Sequence, residues 1–185
     1  MPNRALLLDR DGVVNVDHGY VVERERFAFM DGIFDLTRHA VDRGFRVVVV
    51  TNQSGIARGY YTETAFLDLS QWMCAVFRER GVELAGLFHC PYHPKGPVAR
   101  YTRDSFWRKP NPGMILDAAR RLDLGLSRSV FLGDQATDMQ AALAAGVGLR
   151  VRLNGAHNAQ ADAQDGDPAA SLTIGRLTDL IPHLR

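Results

Sequence analysis

The sequence predicts an α/β protein built on a doubly wound, mostly parallel, Rossmann-like sheet. Three observations predict it. Short apolar runs alternate with stretches of helical periodicity along the 185 residues, the signature of repeated β-α units. The runs are rich in Val, Leu and Phe, as strands buried on both faces are. Three of them end in polar clusters: Asp9 and Asp11, then Thr51-Asn52-Gln53-Ser54-Gly55, then Gly133-Asp134. Ligands in such folds sit at the carboxyl ends of the strands.

Each element follows from its residues. Residues 5–9 form the first strand. Residues 31–43 carry Ile33, Phe34, Ala40 and Val41 at helical spacing, and Gly44 stops them. Residues 45–51 are a β-branched strand. Thr62 caps a helix running to about Arg80, with Phe66, Leu69, Met73, Val76 and Phe77 on one stripe and Gly81 beyond its end. Residues 84–89 are a short strand. Asn111 reads as an N-cap and Pro112 as the first helical position, with Met114, Ile115, Ala118, Ala119 and Leu122 turned inward. Residues 129–133 are a strand and 136–145 an alanine-rich helix stopped by Gly146, with Asp134 placed to cap it. Residues 147–153 form the last core strand. Residues 154–170 read as a surface loop, and 172–184 end in a short amphipathic helix interrupted by Pro182. One domain over 1–185 accommodates all of this.

Composition excludes several classes. The net charge of +1 gives no footprint for nucleic acid or an acidic membrane. No apolar run is long enough to span a bilayer. The N-terminal residues lead straight into the first strand, which reads as the absence of a signal peptide, and two cysteines do not make a disulfide framework. A cytoplasmic monomer is expected.

Asp9-Arg10-Asp11-Gly12 is the most informative string. Two carboxylates one residue apart can divide two tasks, nucleophile or metal ligand and proton carrier. A calcium loop does not fit, because Val14 and Tyr20 stand where glycine and glutamate would be needed.

Asp9, Thr51, Lys109 and Asp134 come in the order and contexts of four motifs, and the chain thereby resembles the haloacid dehalogenase-like phosphohydrolases. The longer strings 9–15, 18–21, 51–59, 108–114 and 133–134 are similar to those of the heptose 1,7-bisphosphate 7-phosphatases and of the related histidinol-phosphate phosphatases. The resemblance implies that Asp9 attacks phosphorus to give an aspartyl-phosphate. It implies that Asp11 protonates the leaving oxygen and then deprotonates water. Thr51 and Lys109 would hold the phosphoryl oxygens, helped by backbone N–H groups from Asn52 onward. Mg²⁺ would be held by Asp9, the Asp11 carbonyl and Asp134, with Asp138 supporting or capping. Asp17, His18, Gly19, Tyr20, Asn52, Gln53, Ser54, Arg58, Arg108 and Gln135 are the expected substrate contacts. Loops 15–26, 54–61 and 91–108 would wall the pocket in place of a large cap domain, with 91–108 setting specificity.

Two departures from the family pattern stand out. Gln135 replaces a common lysine, and a Cys/His zinc site is reduced to Cys90, since Tyr92, Ser105 and Trp107 hold the other positions. Zinc is therefore expected to be absent. The alternative is a rearranged site using His89, Cys90 and His93. Tyr92, Tyr101, Phe106 and Trp107 would hold the loop by packing together. The leading expectation is a Mg²⁺-dependent sugar-bisphosphate phosphatase of lipopolysaccharide-core biosynthesis. Histidinol phosphate is the alternative substrate, and a catalytically inactive binding module the alternative class.

Overall fold

The computed structural model describes residues 2–154 and 167–185. The expected loop at 154–170 lies largely outside the described residues. Six strands form one sheet in the order β3-β2-β1-β4-β5-β6. They are β1 (Arg4–Leu8), β2 (Phe45–Asn52), β3 (Leu84–Cys90), β4 (Val130–Gly133), β5 (Leu149–Leu153) and β6 (Leu172–Ile174). All five pairings are parallel. The helices are α1 (Ile33–Asp42), α2 (Ser54–Ala57), α3 (Glu63–Glu79), α4 (Gly113–Leu122) and α5 (Ala136–Ala144). No large cap domain is present among the described residues.

Period-two alternation distributes each strand between two cores. Leu6, Leu8, Val47 and Val49 pack against Ile33, Leu36 and Ala40 of α1 and Leu69, Met73 and Phe77 of α3. Ala5, Leu7, Val48 and Val50 face the other way, onto Met114, Ile115 and Ala118 of α4 and Met139, Ala141 and Ala142 of α5. Because β1 lies between β2 and β4, the segments after these three strands open side by side at one edge of the sheet.

Some boundaries differ from the sequence reading. The N-cap of α4 is Pro112, not Asn111, whose side chain instead donates to the Ser105 carbonyl at 3.1 Å. The N-cap of α5 is Gln135 rather than Asp134, in a capping box with Asp138. Thr62 caps α3 as expected, accepting from the Ala65 N–H at 3.1 Å. The four-residue α2 and the strand β6 carry too few residues for periodicity to reveal. The C-terminal segment Leu177–His183 is a 3-10 helix, consistent with Pro182 inside it.

Far from the polar edge, the β1 backbone depends on one hydroxyl. Ser129, 1% exposed, accepts from the Ala5 N–H at 3.0 Å and donates to the Gly125 carbonyl at 2.8 Å. Ser129→Ala should cost about 1–3 kcal/mol by stranding a buried N–H, read as a lower denaturation midpoint. A loss within experimental error would show that the Ala5 N–H finds another partner.

Candidate active site

The site is built on a charge imbalance. Asp9 extends β1, while Asp134 and Asp138 flank the start of α5, and their carboxylate oxygens lie within 4.8 Å of one another. All three are buried. Lys109, equally buried, sends its ammonium to Asp9 Oδ1 at 2.7 Å, Asp138 Oδ1 at 2.6 Å and the Val50 carbonyl at 2.9 Å. Burial alone would lower the lysine pKa, but Asp138 and Asp9 together outweigh it and hold the ammonium well above its ordinary value. Burial pushes the Asp9 carboxyl well above the carboxylate range. Lys109 opposes that shift, and Asp138, Asp134 and Asp11 add to it. Three buried acids against one buried ammonium leave an excess of negative charge that a divalent cation would neutralise.

The donor set is all oxygen and fits a hard cation such as Mg²⁺. Asp138 is already committed, with Oδ1 to Lys109 and Oδ2 to the Gln135 N–H at 3.1 Å. Asp134 accepts from Gln135 Nε2 at 2.8 Å. Gly12 makes the close approach possible. Its φ is +84°, and an added Cβ would lie 2.4 Å from Asp134 Oδ2.

Asp11 stands beside this cluster. It accepts from Arg10 Nη2 at 2.8 Å and Asn15 Nδ2 at 3.1 Å through Oδ1, and from Gln53 Nε2 at 3.0 Å through Oδ2. Arg10, 1% exposed, also donates to the Val21 carbonyl at 2.8 Å. Thr51 is buried at the end of β2 and accepts from Gln53 Nε2 at 2.9 Å.

A cavity of about 530 Å³ opens over these groups. Of the residues singled out in the sequence, Asp9, Asp11, Asp17, Gly19, Tyr20, Asn52, Gln53, Ser54, Arg58, Arg108, Lys109, Asp134 and Gln135 reach its wall. Thr51 and His18 do not; Thr51 lies beneath Gln53, and His18 is exposed. Tyr61, Thr137 and Asp138 line it in addition. Asp138 was readable as one turn beyond Asp134; Tyr61 and Thr137 carried no signal of their own. Asn52 and Gln53 spend their side chains on the protein. Asn52 clamps the Lys109 peptide from both sides, Nδ2 to its carbonyl at 3.0 Å and Oδ1 to its N–H at 3.1 Å. The Gln53 N–H donates to the Cys90 carbonyl at 2.8 Å, which removes it from the expected backbone donors. Arg58 Nε and Arg108 Nη1 are buried without a hydrogen-bond partner.

The loop 91–108 is not held by four aromatics. Phe106 and Trp107 are 60% and 38% exposed, because they fall on the solvent side of the turn before Arg108. Tyr101 carries the anchorage, packing with Ile56, Ala57 and Phe66, with Tyr92 alongside, and donating to Glu63 Oε2 at 2.6 Å. His89 meets Glu63 Oε1 at 2.9 Å, Cys90 is buried in the core on the opposite face, and His93 pairs with Arg58 at 3.1 Å. These three side chains do not converge.

An acid pair after β1, a hydroxyl at the end of β2, a buried lysine and a second acid set after β4 define a phosphohydrolase of the haloacid dehalogenase-like class. A sequence model described as HAD-hydrolase-like matches residues 106–180. The chain is 47% identical, over 100% of its length and 95% of the relative's, to the D-glycero-α-D-manno-heptose-1,7-bisphosphate 7-phosphatase of Burkholderia mallei. It is also 47% identical, over 95% of its length and 92% of the relative's, to the D-glycero-β-D-manno-heptose-1,7-bisphosphate 7-phosphatase of Yersinia pestis. The D,D-heptose 1,7-bisphosphate phosphatase of B. bronchiseptica, solved with magnesium and phosphate, superimposes with a TM-score of 0.84 at 29% identity, covering 98% of this chain and 97% of that one. The chain belongs to the heptose-1,7-bisphosphate 7-phosphatase family of haloacid dehalogenase-like phosphatases.

Lys109→Met should destabilise the protein by roughly 3–5 kcal/mol, the cost of stranding buried charge, with part of the loss recovered on adding Mg²⁺. Equilibrium denaturation checks this. A loss below about 1 kcal/mol, the worth of an exposed ion pair, would mean that the ammonium does not hold the acids together.

Proposed function

We propose that this chain is a Mg²⁺-dependent phosphomonoesterase that removes the C7 phosphate of heptose 1,7-bisphosphate. The observation that carries the reading is one cavity lined by groups of two unlike kinds. The acid cluster and Lys109 line it, and so do two half-buried guanidinium groups, Arg58 and Arg108, each with a buried donor lacking a hydrogen-bond partner. The Arg108 pKa is lowered by burial, opposed by Cys90, with Arg58 adding to the lowering. A second anionic group on the substrate would relieve that repulsion. The histidinol-phosphate alternative carries a cation instead, which these guanidinium groups disfavour.

At the acid cluster, Asp9 attacks phosphorus and the leaving sugar oxygen takes a proton from Asp11, which then removes one from the incoming water. Lys109 and the Thr51 hydroxyl, whose oxygen already accepts from Gln53, hold the phosphoryl oxygens where charge accumulates. Asp9, Asp134 and the Asp11 carbonyl would hold Mg²⁺, which supplies screening between an anionic nucleophile and an anionic phosphoryl group. Asp17, Gly19, Tyr20, Ser54 and Gln135 contact the sugar, and loop 91–108 sets specificity. The nucleotide-heptose route to lipopolysaccharide core is the setting. The same reading makes the chain a single-domain cytoplasmic monomer, in keeping with exposed apolar side chains that are few and no helix among the described residues long and apolar enough to cross a membrane.

Wild-type kcat/KM should be highest for a heptose 1,7-bisphosphate, tested as both anomers, and far lower for histidinol phosphate. Arg108→Ala should lower it roughly 10–100-fold on the bisphosphate, as expected for losing charge-assisted hydrogen bonds, with a much smaller loss on p-nitrophenyl phosphate. Equal losses on both substrates would place Arg108 in the phosphoryl site or in folding.

Purified without chelator, the protein should contain no stoichiometric zinc by elemental analysis and should be active with Mg²⁺. The support is that His89, Cys90 and His93 have separate partners. One zinc per chain, with activity lost on chelation and restored only by zinc, would overturn this.

A further inference from the structure

We propose that Gln53 and Tyr61 are positioning residues for Asp11, joining the pocket wall to the proton-transfer step. The inference rests on the reading of Asp11 as general acid. A carboxamide offers two N–H donors and one carbonyl acceptor. In Gln53, 1% exposed, each of these is used. One donor goes to Asp11 Oδ2 at 3.0 Å and the other to Thr51 Oγ1 at 2.9 Å, while Oε1 accepts from the Tyr61 hydroxyl at 2.6 Å. Rotating the amide would break all three bonds and set N–H groups against Tyr61. Its orientation is therefore fixed by Tyr61, and it fixes Asp11 in turn.

Tyr61 is itself held in place. Its ring packs against Gly55 of α2. A Cβ added at Gly55 would come 2.3 Å from Tyr61 Cε1 and 2.7 Å from its hydroxyl oxygen, so Gly55 is the residue that leaves room for the ring. Burial, with a smaller push from Asp11, raises the phenol far above its ordinary value against the opposing charge of Arg10, and the hydroxyl stays a donor. Arg10 Nη2 and Asn15 hold Asp11 Oδ1, and Arg10 Nε lies 3.2 Å from both carboxylate oxygens. Gln53 supplies the shorter bond to Oδ2, from a different segment of the chain. A general acid works only when its oxygen is aimed at the leaving atom, and small misplacements are costly.

The readout is sensitivity to the leaving group. An ester with a poor leaving group needs the proton from Asp11, and one with a good leaving group does not. For a graded series of aryl phosphates from phenyl to p-nitrophenyl, log(kcat/KM) should depend weakly on leaving-group pKa in the wild type and steeply in Asp11→Asn. Gln53→Met, which keeps the side-chain length without the hydrogen bonds, should steepen it as well, lowering the phenyl-to-p-nitrophenyl ratio about tenfold, a fraction of the 10²–10⁴ of full acid catalysis. Tyr61→Phe keeps the ring over Gly55 and should steepen it less; it also serves if Gln53→Met does not fold. If Asp11→Asn steepens the dependence and both other variants leave it at the wild-type slope, with or without a uniform loss of rate, the inference falls and the general-acid reading stands. If Asp11→Asn does not steepen it, the general-acid reading fails and takes the inference with it.

Discussion

One buried ammonium organises this molecule. Lys109 joins the acid that ends β1, the carbonyl of Val50 in β2 and the first turn of α5 through Asp138. Without it, carboxylates from β1 and α5 would face each other across a dry gap, at a cost far above that of any surface pair. The segments after β1, β2 and β4 are consequently bound together by charge as well as by the sheet. The same balance leaves the site anionic, which suits it to a divalent cation, and the ammonium is what opposes proton uptake by Asp9.

The remaining polar groups act mostly on each other. Asn52 clamps the Lys109 peptide, Gln53 spans Asp11 and Thr51, Gln135 ties Asp134 to the start of α5, and Arg10 closes over Asp11 from beneath. Groups that touch the reacting atoms need such support to keep their aim. Arg58 and Arg108 reach the cavity from outside the sheet.

The fold and the reacting groups were legible because both are written locally. Buried parallel strands read as apolar runs, and Asp9, Asp11, Thr51 and Asp134 read as polar ends to those runs. The support was not legible. Nothing in the sequence says that Asn52 would turn its amide to Lys109, 57 positions away, or that Tyr61 would reach back to Gln53, since these contacts exist only once separate elements meet. The aromatic loop shows the same limit. Tyr92, Tyr101, Phe106 and Trp107 are equally apolar on paper, yet only Tyr101 has a carboxylate waiting, supplied by Glu63 at the start of α3. β6 and α2 escaped notice because three or four residues hold no period.

The two-way grip of Asn52 on Lys109 has a mechanical consequence. It fastens the chain at the point where loop 91–108 ends and Lys109 begins. A shift of the loop upstream of that fastening need not carry the ammonium with it. Loop and ammonium are thus mechanically separated at a single residue, held by both of its backbone groups.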